Sequence, residues 1–149
     1  MPEIIAVGSF AEVWNMSNQF PLIKTIVSGQ GVEQARKTVL KIAIKFNEMY
    51  SPDTRLSPVH CQMLSELIVE TYPNFNVTEI SLVFKKAITG KFGKESKSFG
   101  KLDVPKVLNW FSIYNEERFK LIDRARQQEE LERRIKNSRP ATKEALEAT

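Results

Sequence analysis

Between residues 32 and 50, apolar side chains return every three or four positions: Val32, Ala35, Val39, Ile42, Ala43, Phe46, Met49 and Tyr50. That spacing lays them along one stripe of an α-helix, and such a stripe must be buried against another element. Lys37, Lys41 and Lys45 fall on the opposite face, and Glu33 precedes Lys37 by four positions, a favourable pair. Ser51-Pro52-Asp53 stops the pattern.

Three further helices follow. Ser57-Pro58 reads as an N-cap with proline at the first helical position, where its missing N–H costs nothing. Val59, Met63, Leu64, Leu67, Ile68 and Thr71 supply the expected inner stripe, and Tyr72-Pro73 ends it. Asn76 and Glu79 have the spacing of a capping box, with Phe75 and Ile80 at the positions of a hydrophobic staple. Ile80, Val83, Phe84, Ala87 and Ile88 continue inward, and Gly90 is a natural left-handed terminator. Asp103 then caps a helix with Pro105 in its first turn. Its expected inner face is Val104, Val107, Leu108, Phe111, Tyr114 and Ile122, with Phe119 at the margin. Beyond Glu116 this helix is mostly charged, with Glu116/Lys120, Glu129/Arg133, Glu130/Arg134 and Glu132/Lys136 four apart. Pro140 is expected to end it, leaving a frayed tail.

The expected fold is therefore all-α: a small bundle of about four main helices, a long charged C-terminal helix and an irregular N-terminal arm. The arm covers residues 1–31, the helical core 32–122, and the charged extension and tail 123–149. Within the arm, residues 4–7 and 22–27 are short β-branched runs that can be extended, and residues 10–14 suit one helical turn. A chain of 149 residues, 42% hydrophobic, has the material for one core and is not a disordered polymer. It contains no apolar run of the ~20 residues a membrane span needs. Glu3 and the lack of Lys or Arg among the first seven residues argue against a secretory leader. The single cysteine, Cys61, suits a reducing cytoplasm, that of a bacterial host if the chain is phage-encoded.

Reaction chemistry is sparse. Residues 22–27 followed by Gly29-Gln30-Gly31 imitate a dinucleotide fingerprint, but Gln34 stands where the third glycine belongs, so a helix-initiating turn is the ordinary reading and no cofactor is expected. Gly100-Lys101 is followed by Leu102, which breaks the phosphate-loop template. His60 and Cys61 are adjacent and diverge by roughly 100° on a helix. They are read as a surface imidazole and a partly buried thiol, and no metal site is expected. Glu66 and Glu70 share a face with no opposing carboxylates. The chain is expected not to be an enzyme.

Charge is more informative. Residues 1–84 hold six Lys/Arg against eight Asp/Glu, a balance of −2. Residues 85–106 hold seven lysines against Glu95 and Asp103, a balance of +5. Within this segment Phe92-Gly93-Lys94 and Phe99-Gly100-Lys101 repeat an aromatic–glycine–lysine unit. Lysines neutralise phosphates, and exposed rings stack on unpaired bases. The candidate nucleic-acid contacts are Lys91, Phe92, Lys94, Lys97, Phe99, Lys101, Lys106 and, if exposed, Trp110. The alternative is that Phe92 and Phe99 turn inward and leave only a lysine patch. Trp110, Tyr114, Arg118 and Arg126 are candidate partner contacts. The charged helix 116–139 carries a thin apolar seam of Leu121, Ile122, Ala125, Leu131 and Ile135, too irregular for a coiled coil, and its mixed signs read first as a self-paired solvated helix.

Residues 57–118 resemble a family of small helical proteins from bacteriophages and mobile elements of gut bacteria. The matching positions are Ile80, Leu82, Phe84, Gly90, Phe92, Gly93, Leu102, Asp103, Leu108, Trp110, Tyr114, Glu117 and Arg118. The chain departs from that pattern in a longer loop at residues 95–100, and in Val104-Pro105 where the family has glycine. Leu102, Val107 and Trp110 are also similar to the tryptophan helix of primosomal helicase-loader domains. The resemblance implies a phage-like setting, and the helicase-loader likeness inclines the reading toward DNA replication. The expected role is a nucleic-acid-associated accessory protein binding single- or double-stranded DNA and another replication or phage protein. The rival is a protein–protein adaptor or oligomerising structural component using Trp110, Tyr114 and the 116–139 helix.

Overall fold

The computed structural model describes residues 20–92 and 101–147, with side chains described as far as Ser138. Five helices form: α1 (Ile23–Gln30), α2 (Val32–Asn47), α3 (Pro58–Thr71), α4 (Val77–Ile88) and α5 (Val104–Glu147). The described residues contain no strand, only one isolated antiparallel bridge between Leu22 and Asn76. The fold is an all-α helical bundle with a long C-terminal helix. The chain divides into two compact units, Met1–Ile113 and Tyr114–Thr149.

Residues 23–30, for which the sequence left an extended form open, are helical. Ile23 and Ile26 are buried on one side of α1, while Lys24, Thr25 and Ser28 are exposed, a helical alternation that β-branching alone does not reveal. Gly29 lies inside α1. Gly31, at φ 94°, is the joint to α2, a left-handed backbone that glycine adopts without strain. Residues 20–24 are stitched to the start of α4. Ile23 N donates to Phe75 O at 2.9 Å, Lys24 N to Pro73 O at 2.8 Å and Asn76 Nδ2 to Phe20 O at 2.7 Å. Residues 4–7 and 10–14 lie outside the described residues.

The helix starts follow their capping signals. Ser57 Oγ accepts from His60 N at 3.2 Å, and Asp103 Oδ1 accepts from Lys106 N at 2.7 Å. At α4, Asn76 Oδ1 accepts from Thr78 N at 2.9 Å while Glu79 Oε1 accepts from Asn76 N at 3.0 Å, forming the capping box. Here the box is buried, so it also satisfies donors that water does not reach. In the first turn of α2, Glu33 pairs with Arg36 at 2.6 Å.

Side-chain phases differ from the expected stripes in places. Val32, Met49, Val59, Met63 and Thr71 are exposed. On α3 the inner face is Cys61, Leu64, Ser65, Ile68 and Val69, turned away from the Val59/Met63 edge. Apolar residues occupy more than one face of that helix, so periodicity alone does not select the buried one. α4 is buried almost all round: nine of its twelve residues are enclosed, including Leu82 and Ser81 outside the expected stripe. A helix enclosed on nearly every side is a core element, even with Thr78, Glu79 and Ser81 among its buried residues. α2 packs against α1, α3 and α4. The N-terminal part of α5 brings Phe111 to Tyr72, Phe75 and Phe84, with ring centroids 5.8, 6.4 and 5.7 Å apart. Phe46 stacks on Phe84 at 5.4 Å.

Taken by itself, the second unit is a helix exposed at most positions from Asn115 to Ser138; Phe119, expected at a core margin, is 74% exposed. Local pairs line it: Arg134 Nη2 meets Glu130 Oε1 at 2.8 Å, and Gln128 Nε2 donates to Glu132 Oε1 at 3.2 Å. α5 continues through Pro140 to Glu147, where the sequence reading expected a break and a frayed tail. Proline removes one donor, but Ala141, Lys143, Glu144, Ala145 and Leu146 are strong helix formers and carry the backbone on.

Candidate functional site

The end of α4 gathers the best-defined cationic feature. Lys85 and Lys86 occupy its last turn. Thr89 N donates to Lys85 O at 3.0 Å, and its hydroxyl to Lys85 O at 2.9 Å and Lys86 O at 3.2 Å. Gly90 takes φ 78°, its N–H bonds Ala87 O at 3.1 Å, and Lys91 N returns to Lys86 O at 2.8 Å. This is a Schellman motif, which closes the orphan carbonyls of the helix end and folds the backbone at Lys91 back on that at Lys86. Those two positions commonly make an apolar contact. Lysines stand at both here, where cations also complement the C-terminal end of the helix dipole.

A groove of about 750 Å³ lies beside this turn. Phe46, Met49 and Ile88 give it apolar walls, and Lys85, Lys86, Thr89 and Lys91 complete the lining. A second hollow of about 640 Å³ is lined by Asp53, Arg55, His60, Lys101 and Asp103 together with Leu56 and Leu102. Leu102 N donates to Thr54 O at 2.8 Å, which joins the start of α5 to the turn after α2. Arg55 supports that turn through Nη2, which donates to Tyr50 O at 2.8 Å and Glu48 O at 3.2 Å.

The candidate nucleic-acid residues separate into three groups. Lys91 and Lys101 are exposed, whereas Lys106 is half-buried with its ammonium donating to Lys101 O at 3.3 Å. Phe92 is half-buried. Lys94, Lys97 and Phe99 lie outside the described residues. Trp110 is corrected: it is 3% exposed and stacks on Tyr50 at 6.5 Å, so its ring face does not reach a base. The reason is its phase. Val107, Trp110, Phe111 and Tyr114 stand at 0, +3, +4 and +7, so Trp110 shares the inner stripe of the helix with the other three. Tyr114 is buried too, so neither aromatic offers a partner surface. Arg118 is half-buried and Arg126 exposed.

Lys85, Lys86 and Met49 were absent from the sequence-derived site. A signal for the lysines existed, since a left-handed Gly90 implies the 91-to-86 return. Nothing in the sequence brings Met49 of the α2 end beside the α4 end.

Cys61 is buried, and desolvation pushes its thiol above the ordinary value, away from the thiolate that a nucleophile needs. His60 is exposed. Among the described residues no three His, Cys, Asp or Glu side chains gather to hold a metal, and no helix is long and apolar enough to cross a membrane. Comparison with protein-family models, curated proteins and solved structures finds no match.

Proposed function

We propose that this protein is a non-enzymatic, nucleic-acid-associated accessory protein that holds phosphates through its lysine-rich segment at residues 85–106. The phage replication setting suggested by the two sequence likenesses belongs to the same proposal. The observation that carries it is the balance of +5 in that segment beside a body of −2, with Lys91 and Lys101 exposed. Charges gathered within a Debye length of ~10 Å act together on a polyanion. Because Trp110 is enclosed, base stacking loses its strongest ring, and binding is expected to be governed by phosphates and tolerant of sequence.

Anisotropy of labelled single- and double-stranded DNA at several salt concentrations tests this. The expected result is binding that weakens steeply with salt and is lost when Lys91, Lys94, Lys97 and Lys101 are all changed to Gln. On duplex DNA each phosphate contact removed should lower the log–log salt slope by about 0.9. A flat titration at low salt overturns the reading.

The adaptor reading keeps one specific support. Phe119, Leu121, Leu131 and Ile135 are exposed apolar side chains on an otherwise charged helix. Concentration-dependent mass in sedimentation velocity, together with a flat DNA titration, would favour it.

A further inference from the structure

The outer faces of α2 and α3 carry a pattern that neither the core nor phosphate binding uses. α2 turns Ala35, Val39 and Phe46 inward, and α3 turns Cys61, Leu64 and Ile68 inward. On the solvent side of α2, Lys37, Lys41 and Ile44 stand at 0, +4 and +7. On the solvent side of α3, counted back from its C-terminal end, Glu70, Glu66 and Met63 have the same spacing. All six are exposed, Ile44 at 41% and Met63 at 48%. None of the four charged side chains has a hydrogen bond or ion pair among the described residues. Glu33, which the sequence pairs with Lys37, meets Arg36 instead.

We propose that this face docks a second copy of the chain, in a symmetric dimer that lays α2 of each protomer antiparallel on α3 of the other. Lys37 and Lys41 meet Glu70 and Glu66 of the second copy, and Ile44 meets its Met63. Two observations select this occupant. The first is charge. A basic and an acidic stripe of equal spacing both point away from one core, so they satisfy each other only when two copies meet. The second is register. α2 packs on α3, and the end of α2 is tied to the turn before α3 by Asn47 Nδ2, which donates to Leu56 O at 3.0 Å, and by Leu56 N, which donates to Asn47 Oδ1 at 2.8 Å. Measured from that closed end at ~1.5 Å per residue, Lys37 lies about 15 Å along α2 and Glu70 about 18 Å along α3. The other two pairs also differ in height by about 3 Å. A two-fold axis parallel to the helices leaves heights unchanged and exchanges α2 with α3, so it brings all three pairs face to face, twice over. The pattern stops one step further on, where Glu48 stands across from Val59 at the edge of the face. With one apolar contact in each helix pair, the dimer is expected to be weak, with a Kd of about micromolar or above. This site goes beyond the nucleic-acid reading and uses no residue of the 85–106 segment.

The test is sedimentation velocity on the full chain without DNA, from about 1 μM to about 1 mM. The mass should rise from one chain to two. Lys37→Glu with Lys41→Glu sets like charges against each other, as does Glu66→Lys with Glu70→Lys, and each double variant should raise the Kd about tenfold or more. Mixed in equal amounts, the two double variants should regain the wild-type mass, because each supplies the charges that the other lacks in both halves of the interface. Circular dichroism confirms that each variant retains its helices. Should a charge reversal fail to fold, Ile44→Ser with Met63→Ser takes its place and should also weaken the dimer. A wild type that remains one chain throughout overturns the proposal, as does a mixture that stays monomeric. Self-association unaffected by these variants overturns it too, and would assign the contact to the exposed apolar side chains of α5.

Discussion

α4 and the exposed stretch of α5 from residue 115 to 138 share one backbone geometry and are held by different forces. α4 is short, capped by a buried box, and enclosed on nearly every side. The stretch of α5 is longer, exposed at most positions, and carries side-chain pairs four apart. Each such pair contributes only about 0.2–0.5 kcal/mol, whereas a fully buried aliphatic side chain contributes about 1.5–3 kcal/mol. Helicity is thus no guide to where stability resides. α4 draws its stability from its neighbours, and the distal helix from its own sequence.

The largest test of this contrast is Leu82→Ala. Leu82 is fully buried, so the variant should lose about 2–5 kcal/mol in urea unfolding, through lost transfer energy and the cavity left behind. A loss below about 1 kcal/mol would show that α4 is not the core element.

The next effect depends on pH. Burial pushes the Tyr50 hydroxyl up to about 12 from an ordinary 10, and Tyr72 shifts the same way for the same reason. Below pH 10 both folded and unfolded chains keep the Tyr50 proton, and its contribution is fully present. As pH rises from 10 toward 12 the unfolded chain releases that proton first, so stability falls by about 1.4 kcal/mol per pH unit from this group. Urea melts across that window should show Tyr50→Phe losing stability less steeply than the wild type, and equal slopes would refute the assignment.

A smaller effect of opposite sign is expected at Ser81, whose hydroxyl is buried in α4 without a hydrogen-bond partner among the described residues. Ser81→Ala removes a desolvated polar group and should raise stability by about 1 kcal/mol. Loss of stability on thermal or urea melting would mean that the hydroxyl has a use.

The smallest effect is the counterpart of the first. Leu131 is 53% exposed, so Leu131→Ala should change stability by less than about 0.5 kcal/mol. A loss above about 1 kcal/mol, growing with protein concentration, would show this stretch covered by a second copy and would blur the contrast.

Much of the architecture is legible in the sequence. Asn76/Glu79, Ser57-Pro58, Asp103 and Gly90 mark helix ends because capping is a local matter, settled by side chains within a few residues of the backbone they satisfy. Local charge was equally legible: the lysine-rich segment needs only counting. The two distal aromatics divide the lesson. Trp110 is readable as buried, because it falls on the Val107/Phe111/Tyr114 stripe. Phe119 gave no such warning.

Three features needed the tertiary structure. α1 takes its place through bonds from residues 23 and 24 to carbonyls about fifty residues away, which no local window contains. α3 turns Cys61 and Ser65 inward and leaves Val59 and Met63 out, because several faces are apolar enough and only the neighbouring helices choose among them. The groove joins Met49 from the end of α2 to lysines at the end of α4, a meeting produced by helix packing. The sequence by itself determined where helices begin and end and where charge accumulates, since both are short-range properties. Which faces are buried and which side chains share a surface were decided by packing, since burial depends on what arrives from elsewhere in the chain.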